Sequence, residues 1–155
     1  TAGDGLSLHQ DDVGIAEEQA IAMASGMAKG GVKPLVVTNT TFMQRAYDQI
    51  SHDVCINGNH VTILLNYSAF DGLTDVTHLG IFGLSIFTNI PNLTVLSPTS
   101  KKEFIGMLDW ALDSHDGASV RLFLFPATEF RTDLPLAVLT ENRNIKLKER
   151  AKKWR

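Results

Sequence analysis

The chain has 155 residues, 44% hydrophobic and 20% charged, with one Cys and a formal charge of −3 at pH 7, which bounds it to a single α/β-sized core. A chain of this length buries roughly 68–70% of its unfolded surface, so no disulfide or structural metal is required, and the lone Cys55 reads as a small buried hydrophobe. No apolar stretch approaches the ~18–20 residues of a membrane span and no basic-then-apolar leader opens the sequence, so a cytoplasmic protein with no membrane partner is expected.

Thr1 to Gln10 reads as a loop. The Ala- and Met-rich run Val13 to Lys29 predicts a helix, with Asp11 and Asp12 placed to cap it and Gly30-Gly31 to stop it. Turn spacing puts Glu17, Ile21, Ala24 and Ala28 toward packing and Glu18, Ala22, Ser25 and Lys29 toward water. Leu35 to Thr38 then predicts a strand, and Phe42, Ala46, Ile50 and Val54 recur at helical spacing. Further strands are predicted at Val61 to Leu65, Leu93 to Leu96 and Val120 to Phe125. Between the last two, Phe104, Leu108, Ala111 and Leu112 make one apolar helical stripe, closed by a turn at Ser114 to Gly117.

Strands alternating with helices, without internal repeats, predict an α/β fold: a doubly wound, mostly parallel sheet with helices on both faces. Seven of the fourteen Lys and Arg residues lie between Arg143 and Arg155, beside one acid. The expected organisation is a domain over residues 1–137 and a basic tail or linker over 138–155. Without aromatics interleaved beyond Trp154, a nucleic-acid partner is not expected. Ligands of such sheets sit beyond the carboxyl ends of the strands, here Asn39–Phe42, Asn66–His78, Ser97–Ser100 and Pro126–Arg131.

Three constellations could carry chemistry. Glu17 is a carboxylate among Ala, Met and Ile, costly unless partnered; it reads either as an acid poised to share a proton or as a structural partner of a base such as Arg45. The helix Phe42 to Gln49, followed by His52-Asp53, is unusually polar, and faces a ligand or forms a surface anchored by Phe42. The loop Asp71 to Gly80 brings Asp75 and His78 to a strand exit, as an acid/base pair or as metal ligands; with no third ligand evident, no metal is assigned to this chain.

The runs Asp12-Val13-Gly14-Ile15-Ala16-Glu17, Thr41-Phe42-Met43-Gln44-Arg45-Ala46-Tyr47-Asp48-Gln49 with His52-Asp53-Val54, Thr77-His78 and Pro91-Asn92-Leu93 closely resemble the pyrimidine-binding domain of transketolase-like thiamine diphosphate enzymes. The most similar family is 1-deoxy-D-xylulose-5-phosphate synthase, and the likeness covers roughly residues 11 to 137. The resemblance implies that Glu17 is the catalytic glutamate that shares a proton with the cofactor's aminopyrimidine. It further implies that Phe42 stacks on that ring with Arg45 and Ile15 beside it, that His78 is catalytic and contacts substrate oxygens, and that Asp75 and Tyr67 line the substrate site. The implied activity is a transferase making or breaking C–C bonds of keto and aldehyde substrates, within isoprenoid biosynthesis for the synthase family.

Departures from the family pattern bear on the substrate. Gln19 stands for a histidine, Asn39 for a tyrosine and Thr74 for the loop aspartate, with Asp75 one step on. Tyr67 and Ala127 replace the two arginines that hold a substrate phosphate, a strong charge-assisted clamp, unless Arg121 or Arg131 compensates. Gly3-Asp4-Gly5 imitates the start of a magnesium diphosphate motif without its strand. Family members hold Mg2+ and the diphosphate on a separate domain, so a diphosphate-binding domain or subunit is the expected partner, in a homodimer or hetero-oligomer. The fold's first strand is expected to be missing ahead of Thr1. The alternative is a catalytically degenerate relative serving as an assembly or ligand-binding module.

Overall fold

The apolar runs of the sequence become the strands of one six-stranded sheet in the computed structural model, which describes residues 9–68, 78–113, 120–124 and 137–141. In chain order these are β1 (His9–Asp12), β2 (Lys33–Asn39), β3 (Val61–Asn66), β4 (Leu93–Leu96), β5 (Val120–Leu124) and β6 (Ala137–Glu141), set side by side as β1-β6-β2-β3-β5-β4. The four strands β2, β3, β5 and β4 are parallel, with Val37 beside Leu64 and Leu64 beside Phe123. β6 runs antiparallel to both β2 and β1.

Parallel neighbours need crossovers, and crossovers cover both faces of the sheet with helices. All six residues of β3 are accordingly buried. On one face Ala20, Ile21 and Ala24 of helix α1 (Glu17–Lys29) pack with Ala46, Ile50, Val54 and Phe87 against Val36, Ile63, Leu65, Leu122 and Leu124. On the other, Ala111 of a second long helix, Lys101–Asp113, packs with Phe104, Met107 and Leu108 against Val37, Leu64 and Phe123. The Phe104 and Phe123 rings meet edge to face at 5.9 Å. Successive strand residues thus serve opposite cores, the period-2 alternation of a strand, and the doubly wound prediction holds. No described helix is long and apolar enough to cross a membrane.

Local chemistry moves several boundaries. α1 begins at Glu17 rather than Val13, because the Asp12 carboxylate accepts the Gly14 N–H at 2.9 Å and makes a side-chain turn in place of a helix cap. Gly14, at φ +66°, supplies the left-handed residue this turn uses. The helix ends as predicted: Gly31, at φ +88°, donates to Ala28 O and Val32 donates to Met27 O, the paired bonds of a Schellman stop. Ser25, expected to face water, is buried; its hydroxyl donates to Asp53 O at 2.6 Å and accepts from Asn59 Nδ2 at 2.8 Å. Glu18, Ala22 and Lys29 are exposed as expected.

The helix expected over Phe42 to Val54 is wound three ways: α2 (Thr40–Met43), a 3₁₀ turn (Gln44–Ala46) and a π-helix (Gln49–Ile56). The wider i→i+5 winding lets Ile50, Val54 and the adjacent Cys55 all face the core. Burial pushes the Cys55 thiol up to about 12. Two strands depart from expectation. His9–Asp12 is a strand where a loop to Gln10 is expected, held by backbone pairing to β6 that its polar sequence does not advertise, and β6 runs through the boundary expected at residue 137. The turn predicted at Ser114 to Gly117 and the end of the last strand at Phe125 lie outside the described residues.

Candidate functional site

The carboxyl ends of β2 and β3 converge with the first turn of α1 and with the segment entering α3 (Gly83–Phe87). This is where ligands of parallel sheets are received. Glu17 opens α1 and is 2% exposed. Its Oε2 is buried without a hydrogen-bond partner, and Arg45 Nη1 stands 3.6 Å away, an ion-pair distance beyond a good hydrogen bond. The 3₁₀ turn after β2 carries Arg45 to this spot while leaving over half of its side chain in solvent. Both alternatives for Glu17 therefore retain a physical basis: it has a basic neighbour, and it keeps an unused acceptor.

Phe42, half-buried on α2, meets the His78 ring edge to face, centroids 5.2 Å apart at 88°. These two residues, 36 positions apart in sequence, stand on segments that also meet at Thr40. Thr40 is fully buried, and its hydroxyl donates to Asn66 O at 2.9 Å and lies 2.5 Å from Ser68 Oγ. Tyr67, between these partners, takes a left-handed backbone at φ +55° and leaves its ring substantially exposed. A non-glycine residue in that region is strained, and such strain gathers at functional sites. Thr40 and Asn66 carried no signal in the sequence beyond their position at strand exits.

Other expected site residues fall out differently. Ile15 is 89% exposed in the turn before Glu17, so it presents an apolar surface rather than a packed wall. Asp75, with Thr74, Thr77, Ala127 and Arg131, lies outside the described residues. Arg121 does not compensate for the replaced arginines: it is fully buried and aligned with Thr62 and Thr94, near the amino ends of their strands. There its guanidinium lies 4.8 Å over the Trp110 ring and contacts His60, whose Nε2 donates to Ala111 O. Tyr47, Asp48 and His52 form surface pairs, Tyr47 with Asn89 at 3.0 Å and Asp48 with His52 at 2.8 Å. These three stand on the surface of the chain, as either reading of this helix allows. Gln49 Oε1, by contrast, is buried with no hydrogen-bond partner. Among the described residues no three metal-ligating side chains come together.

Residues 7–131 match the family described as the transketolase pyrimidine binding domain. The chain belongs to that family. It is 40% identical to a 1-deoxy-D-xylulose-5-phosphate synthase of Clostridium tetani over 123 residues, 79% of this chain and 19% of that protein. It is 44% identical to the synthase of Lachnoclostridium phytofermentans over 126 residues, 77% of this chain and 20% of that protein. The chain therefore spans about one fifth of the length of the curated relatives it matches. Among solved structures, a split gene transketolase, described as an inactive β4 tetramer, superposes with a TM-score of 0.61 at 20% identity, over 78% of this chain and 39% of that one. That likeness is one of fold.

Proposed function

We propose that this domain is the pyrimidine-binding half of a thiamine-diphosphate-dependent transferase of the transketolase and 1-deoxy-D-xylulose-5-phosphate synthase type. It would act on keto and aldehyde substrates with a diphosphate-binding domain or subunit, in a homodimer or hetero-oligomer, in the cytoplasm. The observation that carries this reading is the Glu17 carboxylate, buried at the strand ends with Oε2 lacking a hydrogen-bond partner. A buried acceptor left unused is costly, and a protonated ring nitrogen would satisfy it. The residues present therefore fit the cofactor's pyrimidine.

When bound, thiamine diphosphate supplies the nucleophilic carbon of the reaction. Glu17 would accept the hydrogen bond from the protonated pyrimidine nitrogen, with Arg45 standing 3.6 Å away on the solvent side. Phe42 offers a ring face for stacking, and Ile15 adds apolar surface at the rim. His78, held edge to face against Phe42, presents its imidazole to substrate oxygens beside Tyr67, and a substrate role for Asp75 rests on the family resemblance alone. Mg2+ would be held by the separate diphosphate-binding domain. Tyr67, Ala127 and the distant Arg121 leave a substrate phosphate without an arginine clamp at these positions, which favours acceptors that do not depend on one.

Calorimetry with thiamine diphosphate and Mg2+, on the chain alone and with a diphosphate-binding partner, tests this reading. Saturable binding only with the partner, abolished by Glu17→Ala, is the expected result. Absence of binding in every combination supports instead the degenerate relative that keeps the fold as an assembly module.

A further inference from the structure

Two glycines on the segment after His78 are packed where no side chain fits. A Cβ on Gly80 would fall far inside contact with Tyr67 O and 2.9 Å from Thr40 Cβ. A Cβ on Gly83 would overlap Thr40 Cγ2, while its next neighbours, Leu124 Cδ2 at 3.5 Å and Thr40 Cβ at 3.8 Å, are at ordinary distance. Thr40 thus works in two directions. Its hydroxyl ties the exit of β3 through Asn66 O and Ser68, and its carbons receive the two glycines. Phe42 follows Thr40 by two residues and His78 precedes Gly80 by two, so the contact at Thr40 joins the same two segments that carry the Phe42–His78 ring pair.

We propose that Thr40, Gly80 and Gly83 are positioning residues whose close packing sets the spacing and tilt of the Phe42–His78 pair, and with it the slot available to a flat ring. Thr40 is fully buried, and both glycines are buried, so a side chain added at either glycine meets Thr40 or the Tyr67 main chain and must displace the His78 segment or its neighbours. Its bearing on cofactor binding rests on the function proposed above; its bearing on the two rings does not.

The contact geometry supplies a compensating pair. Gly83→Ala adds a methyl that meets Thr40 Cγ2, and Thr40→Ser removes that Cγ2 while keeping the hydroxyl bonded to Asn66 O. In the full chain, the His78 and Phe42 ring-proton resonances report their mutual ring-current shifts. Gly83→Ala is expected to change those shifts, and Thr40→Ser combined with Gly83→Ala to restore them toward the parent values. Unchanged ring shifts in a folded Gly83→Ala chain, or no recovery in the double variant, would overturn the proposal. Should Gly83→Ala fail to fold, Thr40→Ser alone decides: it frees the Gly83 side of the contact and must shift the same resonances, and identical spectra would refute the lock. With a diphosphate-binding partner present, Gly83→Ala should weaken thiamine diphosphate binding about tenfold, recovered in the double variant. Ring shifts that respond as expected in an assembly that binds no cofactor at all would sustain the lock and defeat the functional reading.

Discussion

Replacing Glu17 by Gln separates its two roles, because a structural ion pair and a poised acid predict opposite signs for stability. At 3.6 Å, two unit charges attract by about 4–5 kcal/mol at an effective dielectric near 20. Arg45, however, is 56% exposed against 3% for Glu17, and solvent around the guanidinium reduces such a pair toward about 0–1 kcal/mol. Burying the carboxylate costs several kcal/mol, and its Oε2 recovers none of that through hydrogen bonding. Glu17→Gln keeps the shape, gives up the weak pair and removes most of the desolvation cost. A net gain of about 1–2 kcal/mol follows, or a Tm raised by about 2–8 °C for a domain of this size. Urea unfolding followed by far-ultraviolet circular dichroism at pH 7 measures it, with an unchanged m-value as the check on two-state behaviour. A cycle with Arg45→Met should give a coupling below about 1 kcal/mol. A loss of more than about 1 kcal/mol in Glu17→Gln, or a coupling above about 2, would make the residue a structural partner and remove the physical basis for its proposed proton-sharing role.

The remaining predictions concern the scaffold. Ser25→Ala removes the hydroxyl that bonds both Asp53 O and Asn59 Nδ2, while Asn59 Nδ2 keeps Asp53 O at 3.1 Å, and should cost about 1 kcal/mol in the same urea assay; a loss above about 3 kcal/mol would mean that the remaining bond does not hold Asn59. Phe123→Ala empties the core under the Lys101–Asp113 helix and should cost about 3–5 kcal/mol, with a smaller loss signalling collapse of that helix onto the sheet. Glu103 accepts from the Thr99 N–H and hydroxyl, and these bonds hold its carboxyl below the usual range. Its stabilisation is therefore present above the unfolded carboxylate pKa and lost as pH falls through the lowered folded value. The stability gap between the parent chain and Glu103→Gln should accordingly shrink from pH 7 to pH 3, and a constant gap would refute this. Cys55, with its thiol pushed up to about 12 by burial, should react with a thiol reagent at pH 8 only as fast as the chain opens; immediate stoichiometric labelling would contradict its placement in the core.

What the sequence made legible is what burial on two faces writes into it. β3 and β4 were readable because short runs rich in Val, Ile, Leu and Thr stand between turn-forming residues, and α1 because its inward stripe from Glu17 to Ala28 repeats at helical spacing. β1 was not, since its sequence His-Gln-Asp-Asp carries no apolar run and backbone pairing to β6 makes it a strand; β6 lies between β1 and β2 in a stretch assigned to the boundary with the tail. Ser25 misled for a related reason. A hydroxyl on the polar side of a helix looks solvent-facing until a second helix covers it, and the covering residue, Asp53, offers a backbone carbonyl, which has no sequence signature. The site divides along the same line. Glu17 stood out as a carboxylate on the apolar stripe of a helix and Phe42 through the family resemblance, whereas Thr40 and Asn66 act through a hydroxyl and a main-chain oxygen that many sequences could provide. Arg121 shows the converse limit: its charge invited a role at the substrate mouth, but position along a strand decides which end of the sheet a side chain serves. As the second residue of β5, it lies at the end opposite Glu17, however well its chemistry suits an anion.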